Sequence, residues 1–186
     1  MNIFYLDKDP KTCAKMHCDK HVVKMIIEYA QLMSTAHRVL DGDPYVSQTL
    51  GGLKNPKPRR IQRWKHPLEN HEKLLYKASH VNHPSGKWVR DSQNHYNWLY
   101  KMWEQLCYEY THRYGRVHLT DLKLRGILAH PPMQIPVKPF VDPYLAMPDD
   151  VKQEDVVSAY QDYYIKYKKD FAKWTNSEVP QFMLEA

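Results

Sequence analysis

Apolar residues recur at steps of three and four through residues 13–40. Val22, Ile26, Ala30, Met33 and Leu40 fall on one side of a helix. No glycine or proline interrupts the stretch, and Asp41-Gly42-Asp43-Pro44 stops it. A second stripe of Lys20, Lys24, Glu28, Gln31, Thr35 and Arg38 runs along the other side at the same period. Mixed charge at helical spacing is either a solvated face or a site. Residues 91–114 repeat the apolar pattern with Leu99, Trp103, Leu106, Tyr110 and Tyr114. Asp91 or Ser92 is the candidate cap, and Gly115 follows. A third pattern, Val156, Tyr160, Tyr163, Tyr167, Phe171 and Trp174, predicts a helix over 150–174 with Lys166, Lys168, Lys169 and Lys173 facing outward. These three helices are expected to pack around an aromatic core.

The remainder reads as shorter pieces. Residues 1–7 alternate as a short strand. Asp9-Pro10 predicts a brief helix over 10–16 leading into the long one. Glycines and prolines make 41–68 a loop or pair of loops. A short helix is expected over 68–80, a polar turn with His80, Asn82 and His83 over 79–88, and another helix over 120–129. Residues 130–148 hold Pro131, Pro132, Pro136, Pro139, Pro143 and Pro148 and should run extended over the surface. The expected fold class is all-α: a single-domain helical bundle over residues 1–186 with long Pro-rich surface loops.

Composition adds a partner and a compartment. The net charge is +6 and the chain holds 14 Tyr and 5 Trp. That balance leans towards a polyanionic partner. Three cysteines read as reduced thiols. No apolar run approaches the roughly twenty residues that span a bilayer. The expected protein is soluble and cytoplasmic, in the host cytoplasm if the source is viral. Nothing in the sequence bears on oligomeric state.

No phosphate loop, dinucleotide fingerprint, nucleophile elbow or paired-cysteine zinc pattern is present. Cys13, His17 and His21 stand at i, i+4 and i+8, but the outer two lie more than roughly ten ångströms apart on a continuous helix. His80 and His83 lack a compact third ligand. No metal and no cofactor is expected. Residues 54–65 carry six basic residues and no acidic one, with Trp64 among them. They are either a solvated loop or a phosphate grip with an aromatic for stacking. The richest constellation is Asp19-Lys20-His21 with Glu28 two helical turns on.

Asp19-x-His21 followed by Glu28 resembles the start of the main helix in the pyrimidine-dimer DNA glycosylase/AP-lyase family, the phage endonuclease V kind. Lys166-Tyr167-Lys168 and Trp174 loosely match that family's aromatic and Lys-rich tail. The resemblance implies that Glu28 stabilises a sugar cation and handles protons, with His21 helping to hold the damaged strand. The family attacks the sugar with a free N-terminal amine on a small residue. Here Asn2 should leave Met1 in place, and the amine stands several residues further from the Glu. Ile27 and Gln31 stand where arginines would help. Any imine would form on Met1, Lys20 or Lys24. The whole chain also resembles small tailed-phage proteins with openings of the Asp-Lys-His-Val-Val-Lys-Met kind, which implies a viral source.

The resulting expectation is a DNA-directed enzyme acting on a base or its glycosidic bond. Glu28, His21 and Lys24 are the catalytic candidates. Lys20, Gln31, Arg38, Arg59, Arg60, Arg63, Trp64, His83, Asn94 and Arg113 are the substrate-binding candidates, and Trp64 or Trp88 would stack an extruded base. The alternatives are a phage DNA base-modification transferase and a non-enzymatic DNA-binding phage protein.

Overall fold

The long apolar pattern at the start of the chain folds as two helices, α1 (Pro10–Met16) and α2 (Asp19–Asp41), in a computed structural model that describes residues 1–50 and 57–185. Asp9 caps α1 by accepting from Thr12 N, and Pro10 takes the first helical position. Helix 13–40 is therefore broken at His17-Cys18. The His17 ring bonds back to the Cys13 carbonyl at 2.8 Å, and Arg113 donates to the carbonyls of Lys15 and His17. The end of α1 is thus satisfied by side chains, and the helix need not continue.

Residues 1–7 form no strand. Ile3, Phe4, Tyr5 and Leu6 are all buried, so the alternation has no exposed face. Side chains replace a sheet partner. Tyr29 Oη accepts from Phe4 N, Gln161 donates to Leu6 O, and Trp98 donates to Lys8 O.

The span expected as loops contains an antiparallel hairpin, β1 (Asp43–Gln48) and β2 (Arg60–Lys65), with Asp43 opposite Lys65 and Gln48 opposite Arg60. The first part of the basic stretch, 54–56, lies outside the described residues. The fold is mostly helical, with eight α-helices and one two-stranded sheet among the described residues, and is not purely all-α. At Gly42 a Cβ would lie 2.5 Å from the Arg38 carbonyl oxygen, so the turn from α2 into β1 needs glycine.

Helix α3 (Glu69–Leu74) stops short of residue 80. The expected polar turn over 79–88 instead starts α4 (Pro84–Asp91), with Pro84 at the first position and the His83 ring accepting from Ser85 N. Helix α5 (Gln93–Tyr114) is capped by Ser92 and closed by Gly115 at φ 65°. After α6 (Leu119–Leu128), the last long helix is shorter than expected. Asp155, which accepts from Ser158 N, caps α7 (Val156–Lys168), and 149–151 and 169–171 form only 3-10 turns. A short α8 (Gln181–Leu184) follows.

One apolar cluster runs from Ile3 to Tyr164 with α2 and α5 at its centre, where Trp103 donates to Ile26 O at 2.8 Å. Residues 131–148 carry no regular element. Their carbonyls are held by side chains: Lys138 O by Ser92 and Asn94, Val141 O by Trp88, and Ala146 O by Asn2. Among the described residues no helix is long and apolar enough to cross a membrane.

Candidate active site

Glu28 lies midway along α2 with its side chain 17% exposed, and two amines flank it. Lys24 Nζ is 3.1 Å from Oε1, and the Met1 amine is 3.9 Å from Oε2. The greater chain distance between amine and carboxylate does not separate them. The buried residues 3–6 run beside α2, where Phe4 N donates to Tyr29 Oη, and Asn2 Nδ2 fixes the terminus by donating to Ala146 O at 2.6 Å. Lys24 is largely exposed, whereas the Met1 side chain is tucked against the core.

His83, the cap of α4, shares this neighbourhood. Burial lowers its pKa first, the N-terminal charge and His80 lower it further, and Glu28 pulls the other way. Its Nδ1 accepts from Ser85 N, so the neutral ring carries its proton on Nε2 and is a donor there. The chain's start and α2 thus bring an amine and a carboxylate together, with the His83 imidazole of α4 within electrostatic reach of both.

Other nominated residues are engaged elsewhere. His21 is buried, stacks on Phe4 with ring centroids 4.3 Å apart, and bonds through Nδ1 to Tyr164 Oη. Burial pushes its pKa down to about 3, so it stays neutral. Arg38 and Arg113 are buried clamps. Arg38 donates to the carbonyls of Trp64, Glu72, Leu75 and Tyr76 and pairs with the Glu72 carboxylate at 2.5 Å. Arg113 pairs with Asp19 and Glu109. Thr35, on the same stripe of α2, is also buried, so the C-terminal half of that stripe is no solvated face. Asn94 is spent on Lys138 O. Trp88 is sealed in the core and stacked on His95, which removes it as a base platform.

The remaining candidates keep some freedom. Lys20 Nζ stands over the Phe171 ring at 4.6 Å, and Gln31 is half-buried on α2. Arg59 and Arg60 are exposed at the start of β2, Arg63 reaches Ala78 O, and Trp64 is half-buried opposite Pro44. A cleft of about 600 Å³ between α1, α5 and residues 176–181 is lined by none of the nominated residues, so cleft size and candidate chemistry do not coincide.

Sequence reasoning passed over one cluster. His37, Asp41 and His66 each offer a ligand atom within 4.8 Å of the others. The one-turn step from His37 to Asp41 was its available signal.

A family model described as pyrimidine dimer DNA glycosylase matches residues 1–122. That span holds Met1, Glu28 and His83. No curated protein and no solved structure matches the chain.

Proposed function

The chain belongs to the pyrimidine dimer DNA glycosylase family, and from that premise we propose that it opens a dimer-bearing nucleotide of double-stranded DNA with the Met1 amine as nucleophile and Glu28 as the carboxylate that serves it. The family implies glycosylase activity on pyrimidine dimers. The finer reading rests on one observation, the 3.9 Å approach of that amine to the carboxylate.

The amine attacks C1′ of the deoxyribose, and the bond from C1′ to the base breaks. Glu28 stabilises the positive charge that develops on the sugar and takes the proton the amine gives up. The departing base, still joined to its dimer partner, takes a proton from water, and Glu28 returns its proton to O4′ as the C1′–O4′ bond opens, which leaves a protonated imine between chain and sugar. Lys24 pairs with Glu28 and holds it in place, and His83 Nε2–H is a donor for a nearby phosphate. The target nucleotide must leave the stack, which calls for an accessible aromatic. Trp64 suits that role better than the sealed Trp88. Arg59, Arg60 and Lys20 supply cations for the backbone.

Borohydride reduction of a mixture with an abasic-site duplex tests this. The expected product is a covalent chain–DNA adduct whose peptide map places the sugar on the Met1 amine. An adduct on Lys24 or Lys20 would move the nucleophile, and no adduct would overturn the imine.

A further inference from the structure

His37 and Asp41 stand one turn apart at the C-terminal end of α2, and His66 follows β2. All three are buried. The His71 ring on α3 stacks on His66 with centroids 4.7 Å apart and lies 5.9 Å from His37. Three ring nitrogens in this cluster, His37 Nδ1, His66 Nε2 and His71 Nδ1, are buried without a hydrogen-bond partner. Folded proteins rarely leave buried nitrogens unpaired, so three together require an explanation.

We infer that His37, Asp41 and His66 form a binding site for a divalent transition metal of the zinc class, with His71 placed to complete a tetrahedral set. Two imidazoles and a carboxylate, with a third imidazole beside them, are a nitrogen and oxygen donor set suited to such an ion.

The surroundings fit ligation. Tyr96 Oη donates to Leu128 O at 3.0 Å, so the His37 ring must donate to Tyr96 Oη through Nε2, at 2.9 Å. That leaves His37 Nδ1 unprotonated and without a hydrogen-bond partner, with the His130 backbone also close to the ring. Outer partners of this kind fix the tautomer of metal-binding histidines. Met133 N and Gln134 N each donate to one oxygen of Asp41, which orients the carboxylate and leaves further lone pairs. Arg38 disfavours positive charge at His66, and the Glu72 carboxylate paired with it and Asp41 work against that effect.

Ligation has a cost at His66. Its Nδ1 accepts from Leu68 N at 3.2 Å, and binding through Nε2 would move the ring proton to Nδ1 and release that contact. Leu68 is exposed, so water can replace it. Bonds of ~2.0–2.1 Å set tetrahedral ligand atoms ~3.4 Å apart, so the side chains must close by about an ångström. The bound ion would tie the end of α2 to the return of the hairpin and, through Asp41, to residues 133–134.

The site is independent of the reading of Glu28. The test uses the untagged full chain, stripped with a chelator, then titrated with Zn²⁺ against a chromogenic competitor and with Co²⁺ by visible absorption. One equivalent per chain, intense tetrahedral Co²⁺ bands and a melting temperature that rises with Zn²⁺ are expected. His66→Gln and His37→Gln should weaken binding by more than the ~10–100-fold that loss of an outer partner causes. His112→Gln, on α5, should bind as the unaltered chain does. Substoichiometric binding or weak octahedral Co²⁺ absorption in the unaltered chain would overturn the site, even where a variant fails to fold. Equal affinity in a folded His66→Gln would do so too.

Discussion

Arg113 Nη1 lies 3.1 Å from Asp19 Oδ1 across the break between α1 and α2, with the arginine side chain fully buried. The same guanidinium pairs with Glu109 at 3.1 Å. The Asp of the Asp-x-His motif therefore anchors the fold, and Thr175 also donates to it. Removing one member of a buried ion pair strands its partner's charge. Arg113→Ala is expected to lower unfolding free energy by ~3–5 kcal/mol, read as a drop in urea midpoint. Arg38→Ala should cost less, because Glu72 is about a third exposed. Neither change should weaken DNA binding per folded molecule, which phosphate-contact arginines would.

Glu28→Gln keeps the shape of the side chain and removes its charge and its basicity. Positioned acid–base groups contribute roughly 10²–10⁴-fold to rate. Single-turnover excision on a dimer-containing duplex is expected to fall by that order, with DNA affinity unchanged or raised. A variant as fast as the unaltered chain would assign the carboxylate to ion pairing with Lys24 alone.

The parts of the fold legible in the sequence are those with local causes. Helix α5 is marked at both ends, by Ser92 and by Gly115, and its stripe of Leu99, Trp103 and Leu106 has the helical period. Asp9-Pro10 announces α1 in the same way. The hairpin escaped because β1 is largely exposed on both faces and shows no alternation. The break at His17-Cys18 escaped because its cause, Arg113, lies on another helix. Helix α4 is capped by a histidine ring, an uncommon N-cap, so its start read as a turn. At the candidate site, the motif marks Glu28, but Met1, which lies beside it, comes from another element and only folding brings it in. Charge alone could not tell the exposed Arg60 from the buried Arg38 and Arg113.

Buried histidines, His17 and His21 among them, make stability fall in acid. His17 donates from Nδ1 to Cys13 O and accepts at Nε2 from the Tyr29 hydroxyl, which itself accepts from Phe4 N. Burial lowers the pKa of His17 to about 4 and that of His21 to about 3, from 6.5. Below pH 6.5 the unfolded chain therefore binds protons that the folded chain refuses. Stability is complete above that value and declines as pH falls through it, until each folded pKa is reached. Within that window each histidine costs ~1.4 kcal/mol per pH unit. Urea midpoints at pH 7.5, 6 and 5 should show the decline, and His21→Phe should remove one proton from its slope.

The exposed arginines at the start of β2 carry the last prediction. Arg59 and Arg60 have no acidic partner among the described ion pairs, in contrast to Arg38, Arg113 and Arg125. A cation held on a hairpin and free of carboxylates is available to a phosphate, and each phosphate neutralised releases condensed counterions. The logarithm of the binding constant then falls with the logarithm of salt by roughly 0.9 per contact. Arg59→Ala and Arg60→Ala should each reduce that slope by about 1 and weaken binding alike on damaged and undamaged duplexes. Arg113→Lys, altered inside the fold, should leave the slope as it is. Titrations by fluorescence anisotropy across salt concentrations read both quantities. An unchanged slope in both alanine variants would remove the hairpin from the DNA interface and leave Lys20 and Lys24 of α2 as the cations to examine.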